Sequence, residues 1–154
     1  MSDVRTIVTF QSSAFNTSQP RDYFVNECCY GDDLARWLIA ELRGRGVPAN
    51  AEPDQEDSGW YFGFRVADTD YHLVLGYRPG ETNGDGQWIA WLERKLGFVK
   101  SLLGRRKHHI GADAACLLQS VLSSSPKIGN VRWHHKRDFD RGKEDKARPE
   151  PSAD

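Results

Sequence analysis

The sequence predicts an α+β fold, a two-layer sandwich in which a mostly antiparallel sheet carries two amphipathic helices on one face. Three observations lead there. Residues 59–78, GWYFGFRVADTDYHLVLGYR, alternate apolar and mixed positions on either side of a short polar turn, as a β-hairpin does. Leu34, Trp37, Leu38 and Leu42 recur at helical spacing, and so do Ala114, Leu117, Leu118, Val121 and Leu122. The elements run strand, helix, strand, hairpin, strand, helix, strand, an order that segregates helices from a sheet of local connections.

In chain order, Val4, Thr6, Val8 and Phe10 alternate with Arg5, Ile7 and Thr9 and predict a first strand. Residues 11–20 turn to Ser, Asn, Thr and Gln and read as loop, and residues 21–30 fit no periodic template. Gly31-Asp32-Asp33 opens the first helix. The two carboxylates suit free backbone N–H groups and the positive dipole end, Arg43 and Arg45 suit the other end, and Gly44, Gly46 and Pro48 stop it. Trp37 and the leucines are the expected cover for the hairpin, and residues 47–51 a short edge strand, since Pro48 cannot donate to a ladder. Glu52, Asp54, Glu56 and Asp57 read as an acidic connection.

In the hairpin, Trp60, Phe62, Phe64 and Val66 share one face of the first strand, and Tyr71, Leu73, Leu75 and Tyr77 one face of the second. Folding the chain at Asp68-Thr69 would pair Val66 with Tyr71, Phe64 with Leu73, Phe62 with Leu75 and Trp60 with Tyr77. A one-residue slip would turn every apolar side chain to the wrong face. The stretch PGETNGDG at 79–86 is turn-rich, and residues 87–93 form a further strand, with Trp88, Ala90 and Leu92 on one face and Ile89 and Trp91 on the other. Being apolar on both sides, it is either central or covered by a second layer. Leu96, Val99 and Leu103 predict a short helix, residues 105–109 a basic loop, and Val131 and Trp133 a last strand. Residues 1–135 are expected to form one globular domain. Residues 136–154 carry six basic and six acidic side chains, with Phe139 as the sole large apolar one. That tail reads as disordered.

Composition narrows the function. A net charge of -1 gives no general attraction to nucleic acid or anionic lipid. No apolar run is long enough to span a bilayer, and the start, MSDVRTIVTF, lacks the basic and long apolar parts of a signal peptide. A cytoplasmic location is the expectation. Cys28, Cys29 and Cys116 are an odd count with one adjacent pair, which reads as free thiols rather than a disulfide framework, with Cys116 a small core residue.

No catalytic motif stands out: the chain lacks GxxxxGK[ST], GxSxG, HExxH and CxxC. Gly84-x-Gly86 is a turn without dinucleotide context. His108-His109 and His134-His135 match no zinc spacing, so neither metal nor cofactor is expected. Arg94, Lys95, Lys100, Arg105, Arg106 and Lys107 form the one local basic concentration.

Tyr30-Gly31-Asp32-Asp33-Leu34-Ala35 with Trp37-Leu38, followed by Glu56-Asp57-Ser58-Gly59-Trp60, resembles a pattern in an uncharacterised family of small bacterial α/β proteins, G-[ED]-D-L-A-x-W-L and then E-D-x-G-W. The resemblance covers about a quarter of the chain. It implies a bacterial origin and a compact α/β domain, and no reaction. It directs attention to Asp33, Glu56, Asp57 and Trp60.

The leading functional expectation is a non-catalytic binding or interaction domain with a protein partner, of which an immunity-type or inhibitor protein is one form. Tyr61, Tyr77 and Trp91 would mark its contact surface if exposed. One alternative is an enzyme or small-ligand binder in which Asp33, Glu56 and Asp57 converge with Asn26 or a histidine. Another is a nucleic-acid binder using the Arg94 to Lys107 basics.

Overall fold

The computed structural model describes residues 4–25, 29–56, 59–80, 86–94 and 110–151. Its centre is a six-stranded sheet in the order β2-β3-β4-β5-β1-β6, antiparallel at every pairing. The strands are β1 (Ile7–Gln11), β2 (Asp54–Glu56), β3 (Gly59–Val66), β4 (Thr69–Arg78), β5 (Gln87–Arg94) and β6 (Gly129–His134). Two helices, α1 (Asp32–Gly44) and α2 (Ala112–Ser123), lie on one face, and a short helix α3 (Lys136–Asp140) follows β6. This is the α+β sandwich that the periodicities predict.

The core forms where the helices meet the apolar sheet face. Leu34, Ala35, Leu38, Ile39 and Leu42 of α1, with Ala114, Leu118 and Val121 of α2, pack in one cluster with Val8, Phe10, Trp60, Phe62, Leu73, Leu75, Trp88 and Trp133. Trp37 is not the central cover. At about 100° per residue it falls beside the stripe that runs from Leu34 to Ile39, and its half-buried ring flanks the core against Phe15. Cys116 is exposed rather than a core residue, because it sits about 200° around the helix from Ala114.

The hairpin keeps the predicted faces but not the predicted partners. Val66 pairs with Thr69, Phe64 with Tyr71, Phe62 with Leu73 and Trp60 with Leu75, two residues away from the expected register. The cause is the turn. Ala67 and Asp68 both have positive φ, 50° and 65°, the two-residue type I′ connection whose twist matches that of the strands. A shift of two preserves side-chain parity, so the apolar stripe survives. Upstream, residues 48–50 do bond the edge of β3, Asn50 N to Gly63 O at 2.9 Å and Arg65 N to Pro48 O at 2.9 Å. The acidic connection also contains a strand, since Asp54–Glu56 pairs with residues 59–61. The edge of the sheet is therefore two short acidic or proline-bearing pieces, which discourage further strand addition.

β5 is both central and covered on its second face. Ile7, Thr9 and Ile89 are buried there, opposite the helices. Residues 136–151 supply contacts on this side, contrary to the expected disorder. Phe139 meets His134 edge-on at 5.2 Å, and Glu144 reaches Arg78 at 3.3 Å. Arg148 exchanges backbone hydrogen bonds with Trp133 beyond the edge of β6, and Arg5 N donates to Pro151 O at 2.8 Å. Composition missed this because backbone pairing needs no apolar side chain. The expected helix at 96–103, the basic loop at 105–109 and residues 152–154 lie outside the described residues.

Candidate functional site

One end of the sandwich gathers aromatic rings. The start of β3, the end of β4, the start of β5 and the N-terminus of α1 converge there, joined by the loop 12–25. Gly31 makes the convergence possible. Its φ of 128° suits glycine alone, and a Cβ built on it would stand in contact with the indoles of Trp60 and Trp88, 3.4 Å from each. Helix α1 thus starts directly on two tryptophans.

From these two indoles a chain of rings spreads outward. Tyr23 lies 6.2 Å and Phe24 6.0 Å from Trp60, Phe24 lies 5.9 Å from Tyr30, and Tyr30 lies 6.3 Å from Tyr77. Tyr77 then sits 4.9 Å from Trp88, which meets Phe15 at 6.4 Å, and Phe15 meets Trp37 at 5.8 Å. All are edge-on or tilted pairs, the favoured aromatic geometry. Trp60 and Trp88 are buried, and Phe15, Phe24, Tyr30, Trp37 and Tyr77 are half-buried. Tyr23 is 53% exposed and Val25 54%, the exposed large apolar side chains among the described residues.

The loop that carries these groups is tied down by polar side chains. Asp33 accepts from Asn16 N at 2.8 Å and from Leu34 N at 2.8 Å. Asn16 in turn closes residues 16–19, accepting from Gln19 N and donating to Gln19 O. Buried Asp32 accepts from the Tyr23 hydroxyl at 2.6 Å and from Arg36 at 3.2 Å, and that hydrogen bond raises the Tyr23 phenol pKa above its ordinary value. Gln55 of β2 grips the exposed segment from the other side: its amide accepts from Val25 N at 2.6 Å and donates to Tyr23 O at 2.6 Å. Trp60 Nε1 donates to Cys29 O at 2.7 Å.

The residues singled out from sequence divide between places. Asp33, Trp60 and Tyr77 belong to the aromatic end, Asp33 as an anchor and Trp60 as a buried base for the outer rings. Glu56 is exposed on β2, and no hydrogen bond or ion pair among the described residues joins it to Asp33. Asp57 and Asn26 lie outside the described residues, as do the basics beyond Arg94. Tyr61 and Trp91 are half-buried on the opposite face, where Tyr61 packs on His72 at 5.4 Å and Trp91 pairs with Ile7 and Val74 in the ladder. Phe15, Tyr23, Phe24, Val25 and Tyr30 were not singled out. Their signal is present: several large apolar side chains inside a stretch too polar and aperiodic to be a core element.

Among the described residues no three His, Cys, Asp or Glu side chains are grouped to hold a metal ion, and no helix is long and apolar enough to cross a membrane. Comparison with protein-family models, with curated proteins and with solved structures finds no match to this chain.

Proposed function

We propose that this protein is a non-catalytic binding domain that docks a polypeptide partner on its aromatic end, centred on Tyr23 and Val25. The observation that carries this reading is the exposure of both side chains on a backbone fixed by Gln55, with the Tyr23 hydroxyl held by Asp32. A fixed apolar group loses little conformational freedom on binding, and a partly exposed tyrosine is a frequent source of binding energy. The matching partner offers an apolar pocket that receives the Tyr23 and Val25 side chains.

The test is affinity capture from a lysate of the source organism with three baits: the wild-type chain, a Tyr23→Ser/Val25→Ser double variant, and an Arg65→Ala control on the far side of β3. One stoichiometric protein held by wild type and control, and lost by the double variant, is the expected result. A partner held equally by all three baits sinks the reading.

A further inference from the structure

Beside the docking patch, at the Phe15 and Tyr77 end of the ring chain, the surface opens into a cleft of about 510 Å³, within the range of small-molecule sites. Its lining is chemically lopsided. Among the described lining residues Lys127 is the one charged side chain, and no carboxylate among the described residues pairs with it; its Nζ lies 5.9 Å from the Trp37 ring centre. Ser12, Ser13 and Thr17 add hydroxyls, and Phe15 and Tyr77 add ring surface. Both rings rest on buried Trp88, so the platform is fixed. Gly86 completes it, because a side chain there would overlap the Tyr77 hydroxyl.

We propose that this cleft binds a small phosphate monoester that carries an aromatic ring. Lys127 acts as a point charge for the phosphate, and the hydroxyls of Ser12, Ser13 and Thr17 donate to its remaining oxygens. A carboxylate would leave some of these donors unused, and a cation would meet Lys127. The ring lies against Phe15 and Tyr77. This site goes beyond the docking patch and uses none of its exposed residues.

The test uses the full chain and a nucleoside monophosphate, AMP, as probe, followed by amide chemical shifts in two-dimensional NMR. Inorganic phosphate and adenosine are the comparison probes. AMP should shift the amides of Phe15, Gly86 and Lys127 and bind about tenfold tighter than either comparison probe. Lys127→Gln and Gly86→Ala should each weaken AMP binding about tenfold, the first by removing charge and the second by displacing Tyr77. Tyr23→Ser/Val25→Ser should leave it unchanged, which separates this site from the docking patch. Lys127 is exposed, so its replacement leaves the fold in place even if Gly86→Ala does not. An absence of shifts, AMP binding indifferent to Lys127→Gln, or adenosine or phosphate alone binding as well as AMP would each overturn the proposal.

Discussion

Two aperiodic stretches of this chain, one rich in Ser and aromatic residues and the other in charges, are built in opposite ways. The loop 12–25 is anchored by side chains, Asp33 to Asn16, Asp32 to Tyr23 and Gln55 to residues 23 and 25, and it holds apolar groups out into solvent. The segment 136–151 is anchored by backbone, Arg148 to Trp133 and Pro151 to Arg5, and it shows mostly charges outward. The difference teaches what each does. The loop packs Phe15 and Phe24 on the core and leaves Tyr23 and Val25 in solvent, whereas the strap pairs its backbone with Trp133 and Arg5 and sets Phe139 on buried His134.

The largest expected effect comes from removing what lies beneath the loop. Trp88 is fully buried and carries both Phe15 and Tyr77, so Trp88→Ala should cost about 3–5 kcal/mol in a urea melt. It should also release the rings at this end while leaving the strap in place, as hydrogen exchange at residues 133 and 148 would report. Ending the chain after residue 135 removes the strap and its three backbone hydrogen bonds to Arg5 and Trp133. A loss of about 2–4 kcal/mol is expected, with the aromatic end unaltered. Little or no loss would mean that the strap is decoration.

Acid and alkali should separate the two regions further. Burial holds the His134 imidazole below its ordinary pKa, with weaker opposing and reinforcing contributions from Glu144, Arg78 and Arg5. The unfolded chain then binds more protons below about pH 6.5, so stability falls as pH drops through that value, until folded His134 protonates in turn. His134→Phe should flatten this acid limb. At the other end, the raised Tyr23 pKa means that its bond to Asp32 is fully present below about pH 10 and lost as pH rises through the folded value. Amide exchange in 136–151 should therefore rise first in acid, and exchange in 21–25 first in alkali.

The smallest effect on folding belongs to Val25. Val25→Ser should change stability by no more than about 0.5 kcal/mol, since its side chain is mostly in solvent, whereas Tyr23→Ser also removes the bond to buried Asp32 and should cost about 1–3 kcal/mol.

Sequence periodicity carried most of the fold and little of the site, for physical reasons. Face membership in β3, β4 and β5 follows from parity, which Trp60, Phe62, Leu73, Leu75, Trp88 and Leu92 display without ambiguity. Hairpin register depends instead on the turn, and neither Ala67 nor Asp68 carries the glycine that usually announces a two-residue connection. β2 was hidden because a three-residue acidic edge strand has no apolar alternation. Of the site, Trp60, Tyr77 and Asp33 were legible beside regular elements, while Tyr23 and Val25 depend on Gln55, thirty or more residues away, for their position. Side-chain to backbone ties of that range leave no periodic trace.

Photo-crosslinking from position 23 tests the docking surface most directly. A photoreactive phenylalanine replaces Tyr23 in one protein and Arg137, on the exposed side of the strap, in another. Both are irradiated in lysate of the source organism. A single protein adduct from position 23, absent from position 137, is the outcome expected of an aromatic end that binds a polypeptide. Adducts from position 137 alone, or the same adducts from both, would contradict it.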